Sequence, residues 1–491
     1  MTAKRKVIFC GTHPSQFNGY SKVLYEICNG LSKDFENELE LYIFGFQNFH
    51  SNNSKKDHIH ERELTNVKEV YDVYANEEPK KKGFGEELIT DYIKKVNPDI
   101  VIIYNDLIVI SSLLQRISKI DERNNFKVIP YIDLVYRNEK NDLIKFINDN
   151  VDGVITFNDF WSEQLKKQNF TKSITSIPHG FNPLNHYPIS KKVARLYYGI
   201  EEDNIVIVNL NRNQPRKRWD ICLMAFIKFI SKHLDKKIKL LIGTTMNGAW
   251  DLMDIIISEC RKNDITLEDI KKHIIVIPNP QQLTDKEVNI LYNIGDIGIN
   301  TCDGEGFGLC NFEQAGVGIP QIVSRVGGFN EIFHKSNTIF INPKWSYYVD
   351  KSRDVVGGEA EVCDVDDFVK GFEFYVFNEK TRETHGKKIR EHIIKTYSWS
   401  KINKSFFDLI ITSTEDIFKK KNEKKKAEVS SSCQSQSMKP NTFEMGSIEE
   451  VDIEELIKQR YNNKKNVLEK TETDKDNTNQ LNNDDFFIIE G

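Results

Sequence analysis

The chain has 491 residues, 39% hydrophobic and 29% charged, with 68 Lys and Arg against 73 Asp and Glu for a formal net charge of −5. That length fits two or three domains with cores of their own, and the slightly acidic balance excludes the basic footprint of a nucleic-acid binder. No apolar run reaches the roughly 18 residues of a membrane span, the N-terminal Lys4-Arg5-Lys6 leads only into the short run Val7 to Cys10 and not into a secretory leader, and the eight cysteines include no C-x-x-C pair, which fits reduced thiols in the cytoplasm better than a disulfide framework or a zinc site.

In chain order, the run Val7 to Cys10 reads as a strand ending at Gly11, and Val23, Leu24, Ile27 and Leu31 recur at helical spacing. Further strands are expected at Leu39 to Phe44, Ile100 to Tyr104, Val128 to Ile132 and Val154 to Phe157. The polar stretch from Gln47 to Gly83 reads as a loop excursion. Past the breaker cluster Pro178-His179-Gly180-Phe181-Asn182-Pro183, a second series of strands is expected at Ile205 to Val208, Ile238 to Ile242, Ile274 to Ile277, Ile297 to Ile299 and Gln321 to Ser324. Continuous apolar strands alternating with amphipathic helices predict buried parallel sheets, hence an α/β chain of two doubly wound domains. The expected boundaries are 1–183, 184–395, a closing helix over 396–418 built on Trp399, Ile402, Phe406, Phe407, Leu409 and Ile410, and a disordered charged tail over 419–491. Within that tail Ser447-Ile448-Glu449-Glu450 has the form of a capping box, so a transient helix or a partner-docking helix are both open readings. The lysine runs 80–82 and 419–426 are candidates for peripheral membrane contact, weighed against a merely solvated charge run.

Three segments carry chemistry. Asp303-Gly304-Glu305-Gly306-Phe307-Gly308-Leu309-Cys310-Asn311-Phe312-Glu313 follows a strand end and enters a helix. Its glycines permit close backbone approach to a ligand, its free N–H groups sit at the positive helix end, and its two carboxylates can accept several sugar hydroxyls. Asn211 to Arg218 places Arg212, Arg216, Lys217 and Arg218 after another strand, a set suited to a diphosphate. Phe17-Asn18-Gly19-Tyr20-Ser21 lies between the first strand and the first helix, where an anion is favoured.

Together these segments resemble glycosyltransferase family 4. Glu305 and Glu313 match its E-x7-E motif, Arg212 and Lys217 its R-x4-K clamp, and Gly19 its first-domain glycine. Glu313-Gln314-Ala315, Gly318-Ile319-Pro320, Gly327-Gly328-Phe329-Asn330-Glu331 and Ile177 to Asn182 are similar to further family segments, so the resemblance covers about 6–415. It implies a GT-B fold with a central cleft and a retaining transfer of a hexose-type sugar from a UDP- or GDP-sugar to a glycan, lipid or small-molecule acceptor, without a metal or other cofactor. It further implies that Arg212 and Lys217 hold the diphosphate. Glu305, with the backbone of Gly306, Phe307, Gly308 and Leu309, would hold the sugar, Glu313 the ribose, and Pro278-Asn279 the base edge. The chain departs from the pattern where Asp133 stands in a stretch that carries a histidine in many members, where Arg218 replaces the glycine after the clamp lysine, and in the unfamiliar segment 344–363, expected as a packed surface loop, although its Trp345, Tyr347 and Tyr348 could if exposed stack on sugars. Asp133 is either a catalytic group or a helix cap. Two readings compete: a GT-B phosphorylase or other nucleotide-diphosphate enzyme of this fold, for which no cofactor-lysine context is present, and an inactive GT-B carbohydrate-binding or scaffold subunit.

Overall fold

The computed structural model describes residues 3–16, 18–48, 62–77, 83–277, 283–421 and 423. The first sheet comprises β1 (Arg5–Thr12), β2 (Leu39–Phe46), β3 (Glu69–Asp72), β4 (Ile100–Asp106), β5 (Lys127–Val128), β6 (Tyr131–Asp133), β7 (Gly153–Thr156) and β8 (Ser173–Ser176). Its order is β3-β2-β1-β4-β6-β7-β8, with β5 also on β4. The second comprises β9 (Ile205–Asn209), β10 (Ile238–Ile242), β11 (Ile274–Val276), β12 (Ile297–Asn300), β13 (Gln321–Ser324) and β14 (Thr338–Ile341), in the order β11-β10-β9-β12-β13-β14. All their pairings are parallel. Val7 to Cys10 and Ile100 to Ile103 are buried because helices cover both sheet faces, which is why these strands are apolar without alternation. In each sheet the strand order reverses beside the first strand, β1 or β9, so a crevice opens at the strands' carboxyl ends.

Four expectations are corrected. Val128 to Ile132 is not one strand: Pro130 has no N–H for the ladder, and β5 and β6 pair with β4 on either side of it. The 47–83 excursion contains β3 and the helix Val73–Asn76. β3 is an edge strand with all four residues half-buried, so it leaves no apolar run to read. The segment 344–363 is no loop but an antiparallel hairpin of β15 (Pro343–Tyr348) and β16 (Glu359–Cys363). The described helix also continues past 419, where Lys421 reaches Asp99 at 3.0 Å.

The chain finally crosses back to where it began. Helix Glu379–Thr396 packs on helix Leu309–Gly316 behind the second sheet. Helix Trp399–Ser413 then packs on helix Gly19–Asp34 of the first unit. There Phe407 stacks on Phe35 at 4.0 Å, and Phe406 lies edge-on to Tyr131 at 5.3 Å.

Candidate active site

Four strand ends converge between the two sheets. Leaving β12, the chain turns through Thr301 to Gly308 and enters helix Leu309–Gly316. Gly308 caps that helix at φ +83°, a conformation that strains any side chain, and a Cβ there would meet Phe329 at 2.1 Å. At Gly306 a Cβ would come within 2.0 Å of Asp133 Oδ1, so only glycine lets this loop lie against the end of β6.

Glu305 is 4% exposed. Its Oε1 accepts from Arg216 Nη1 at 3.1 Å, its Oε2 from Lys217 Nζ. Burial alone would raise its carboxyl, but Lys217 and then Arg216 outweigh burial and hold it at about 2. The basic loop reaches Glu305 because hydrogen bonds fasten it to the motif loop: Asp303 N donates to Arg216 O at 3.0 Å, Thr301 Oγ1 reaches Arg218 O at 2.9 Å and Lys217 O at 3.1 Å, and Arg216 Nη1 donates to Gly304 O at 3.1 Å. Arg212 is exposed on the cleft wall, and Arg216 and Glu305 are among the charges acting on its guanidinium. Among the described residues no hydrogen-bond partner occupies it.

Glu313 is 5% exposed, in the second turn of its helix. It accepts from Lys22 Nζ at 2.9 Å and Tyr292 OH at 2.9 Å, and lies 3.3 Å from His186 Nε2. Burial again raises its carboxyl, and His186 and Lys22 more than reverse the effect, leaving it far below the usual carboxylate range. Lys22 belongs to the first unit and also pairs with Asp285 at 3.2 Å. Lys22, His186 and Tyr292 carried no sequence signal of their own, although Lys22 stands three residues after Gly19 and hence on the same helix face.

On the first unit's side, Asn18 caps helix Gly19–Asp34 through a capping box with Ser21. Gly19 faces Leu309 across the cleft; a Cβ there would be 3.3 Å from its side chain. Tyr20 OH donates to Asp133 Oδ2. Burial pushes the Asp133 carboxyl up to about 6, against the Tyr20 hydrogen bond and Arg216. Asp133 does not cap a helix: it ends β6, and the next helix begins at Asn141. His179, from the segment between the sheets, is buried between Tyr131 OH at 2.8 Å and Tyr104 OH at 3.4 Å, and its ring lies 4.4 Å from that of Phe307. Burial lowers it to about 3, so it stays neutral. Phe17, Pro278 and Asn279 lie outside the described residues.

The two units are also latched at their rim. Glu331 accepts from the N–H groups of Asp159, at 3.0 Å, and Phe160, the first turn of helix Asp159–Lys167. Trp161 Nε1 donates to Gly306 O at 2.8 Å.

Comparison with known proteins agrees with this architecture. Residues 191–363, which hold the clamp loop and both glutamates, match the family model described as Glycosyl transferases group 1. A D-inositol 3-phosphate glycosyltransferase of Saccharomonospora viridis is 24% identical over 163 residues, 32% of this chain and 35% of that protein. The alignment thus spans about a third of that relative. Among solved structures, sucrose-phosphate synthase from Thermosynechococcus elongatus superposes with a TM-score of 0.61 at 12% identity, covering 84% of this chain and all of the other. Anabaena HepE in complex with UDP-glucose gives 0.60 at 13% identity over 83% of this chain and 99% of the other. At such identities the structures speak for the fold. The chain therefore has the GT-B fold, two Rossmann-like domains facing a cleft, and the segment that matches the Glycosyl transferases group 1 model forms the second wall.

Proposed function

We propose that the chain is a retaining glycosyltransferase of family 4 that moves a hexose-type sugar from a UDP- or GDP-sugar to a glycan, lipid or small-molecule acceptor, without a metal ion. One observation carries this reading. The cations Arg212, Arg216 and Lys217 act on one ionised carboxylate, Glu305, and Arg216 acts also on Asp133, whose carboxyl burial raises to about 6. Around Glu305 itself three cations meet a single carboxylate, which suits a diphosphate and not a neutral ligand.

In this reading Arg212 and Lys217 bind the two phosphates. As the bond from the anomeric carbon to the diphosphate oxygen breaks, negative charge grows on that oxygen, and the prepositioned cations stabilise it. Glu305, at the sugar end, orients hydroxyls with the backbone of Gly306 to Leu309, while Glu313, eight residues on, takes the ribose. Pro278 and Asn279 remain assigned to the base edge, and Gly19 to close approach from the first unit. The units divide at 183–184, with the chain after 396, as far as Lys421, belonging to the first. UDP- and GDP-sugars titrated calorimetrically, with hydrolysis and transfer followed in EDTA, test the whole reading. One donor class should bind and turn over in the chelator. Absence of binding by both overturns it, and loss of turnover in EDTA restored by Mn²⁺ overturns the clamp.

A further inference from the structure

Two of the three places where the chain departs from the family 4 pattern, Arg218 and the segment 344–363, meet in one pocket. Arg218 takes the left-handed conformation, φ +47° and ψ +54°, that favours glycine. Strain of this kind persists where surroundings hold it and points to a use. The Arg218 guanidinium is held by Asp220 at 2.7 Å, reaches Asp303 at 3.5 Å, and lies over the Trp250 ring at 6.0 Å. From the other side the β15–β16 hairpin brings Trp345, Tyr347 and Arg353. Tyr347 OH donates to Asp303 Oδ2 at 2.9 Å, Arg353 pairs with the same oxygen at 2.5 Å, and the Trp345 and Tyr347 rings are 5.5 Å apart. With Pro215 they line a cavity of about 460 Å³, a size in the range of small-ligand sites, roughly 300–1,000 Å³.

The chemistry of the lining chooses the ligand. Two guanidinium groups, Arg218 and Arg353, are matched by two carboxylates, Asp220 and Asp303, so no positive surplus is left for an anion. Three aromatic rings are presented, with Trp345 56% exposed. The C–H face of a sugar ring carries a slight positive charge and is drawn to the negative face of an aromatic ring. The guanidinium of Arg353 lies over the Tyr347 ring at 5.2 Å, as that of Arg218 lies over Trp250, so arginine N–H groups stand beside the exposed Trp345 ring; behind them, among the described residues, the buried Asp303 Oδ1 and Arg353 Nε have no hydrogen-bond partner. Pro215 and Arg218 flank Arg216 and Lys217, the two cations on Glu305, so the pocket is one loop's thickness from the proposed donor site.

We propose that this pocket is an accessory binding site for a neutral saccharide, formed by Trp250, Trp345 and Tyr347 and framed by Arg218 and Arg353. The choice of a saccharide rests on the glycosyltransferase reading; the pocket itself does not. The test titrates maltotriose, cellotriose and mannotriose, with glucose 6-phosphate as the charged counterpart, into the full chain, followed by tryptophan fluorescence and calorimetry. At least one trisaccharide should bind with a Kd below ~10 mM, and Trp345→Ala should weaken it at least about tenfold. Arg218→Gly, which suits the backbone and removes only the guanidinium, should weaken it too. The proposal is overturned if no trisaccharide binds, if Trp345→Ala binds as well as the parent, or if glucose 6-phosphate binds more tightly than all three. UDP affinity measured on the same samples reports separately on the donor site, so its absence beside normal trisaccharide binding would sink the donor reading alone. A mass increase on the probe in the presence of donor identifies it as acceptor, and altered donor turnover without that increase identifies an effector; both uphold the site.

Discussion

At the scale of single residues, Glu305 and Glu313 have different partners and should fail differently. Glu305 is held within the second unit by Arg216 and Lys217, whereas Glu313 is shared with Lys22 of the first unit. With Glu313 on the ribose, Glu313→Ala should weaken free UDP or GDP by about 1.5–3 kcal/mol, roughly ten- to hundredfold, while Glu305→Ala, which frees Lys217 and Arg216 for the diphosphate, should not weaken it and should lower kcat. Calorimetry giving the opposite order would reverse the two assignments. Asp133 makes a prediction about pH. Its carboxyl is raised from 3.8 to about 6, so the folded state holds this proton more tightly than the unfolded one. Its contribution to stability is therefore most favourable below about pH 4 and is lost as pH rises to about 6. Asp133→Asn keeps an acceptor for Tyr20 but cannot ionise. It should gain about 1 kcal/mol over the parent at pH 8 relative to their difference at pH 4, allowing for partial solvent screening. Thermal melts at the two pH values giving the same difference would show that Asp133 is not the buried acid described.

At the scale of elements, the boundary between the units is held by a small number of specific devices. Glu331 supplies from the second unit the N-terminal cap that helix Asp159–Lys167 of the first unit uses together with Asn158. Glu331→Ala should cost about 1 kcal/mol, the usual worth of a capping group, and lower Tm by about 1 °C in a chain of this size. A melt unchanged within error would mean that the contact is dispensable. The hairpin β15–β16 shows how an element escapes a sequence reading. Its ladder pairs Trp345 with Val362 and Tyr347 with Ala360, so one strand faces solvent with aromatics while the other buries small apolar residues. The exposed aromatics of β15 make no apolar run, and the alternation of β16, Glu359 to Val362, is only four residues long. β3 and β8 are obscure for a related reason: they are short, polar and at sheet edges.

At the scale of the whole molecule, the return of the C-terminal helix makes the fold one cooperative object. Ile402, Phe406 and Ile410 are buried against the first unit, each worth roughly 1.5–3 kcal/mol of apolar burial. Phe418 lies 4.2 Å from the Arg5 guanidinium, and Lys421 donates to Pro98 O at 2.6 Å. Truncation after Glu423 should leave Tm and donor affinity unchanged, and truncation before Trp399 should abolish the cooperative melt. Loss of donor affinity on the first cut would bring the segment after 423 into the site.

The sequence by itself determined what depends on neighbours along the chain. Continuous apolar strands between amphipathic helices specify two buried parallel sheets, because strand and helix periods are local properties. The E-x7-E run and the Arg212 to Lys217 spacing place chemistry at strand ends for the same reason, since Gly306 and Gly308 announce a turn into a helix within eleven residues. Tertiary structure alone decided what those groups meet. Lys22, His186 and Tyr292 surround Glu313 from separate elements, Tyr20 reaches Asp133 from the first helix, and the hairpin closes over Arg218. These partners are isolated polar residues whose companions lie tens to hundreds of positions away. Charges of this kind acquire a role only when burial in a shared cleft makes each dependent on the other.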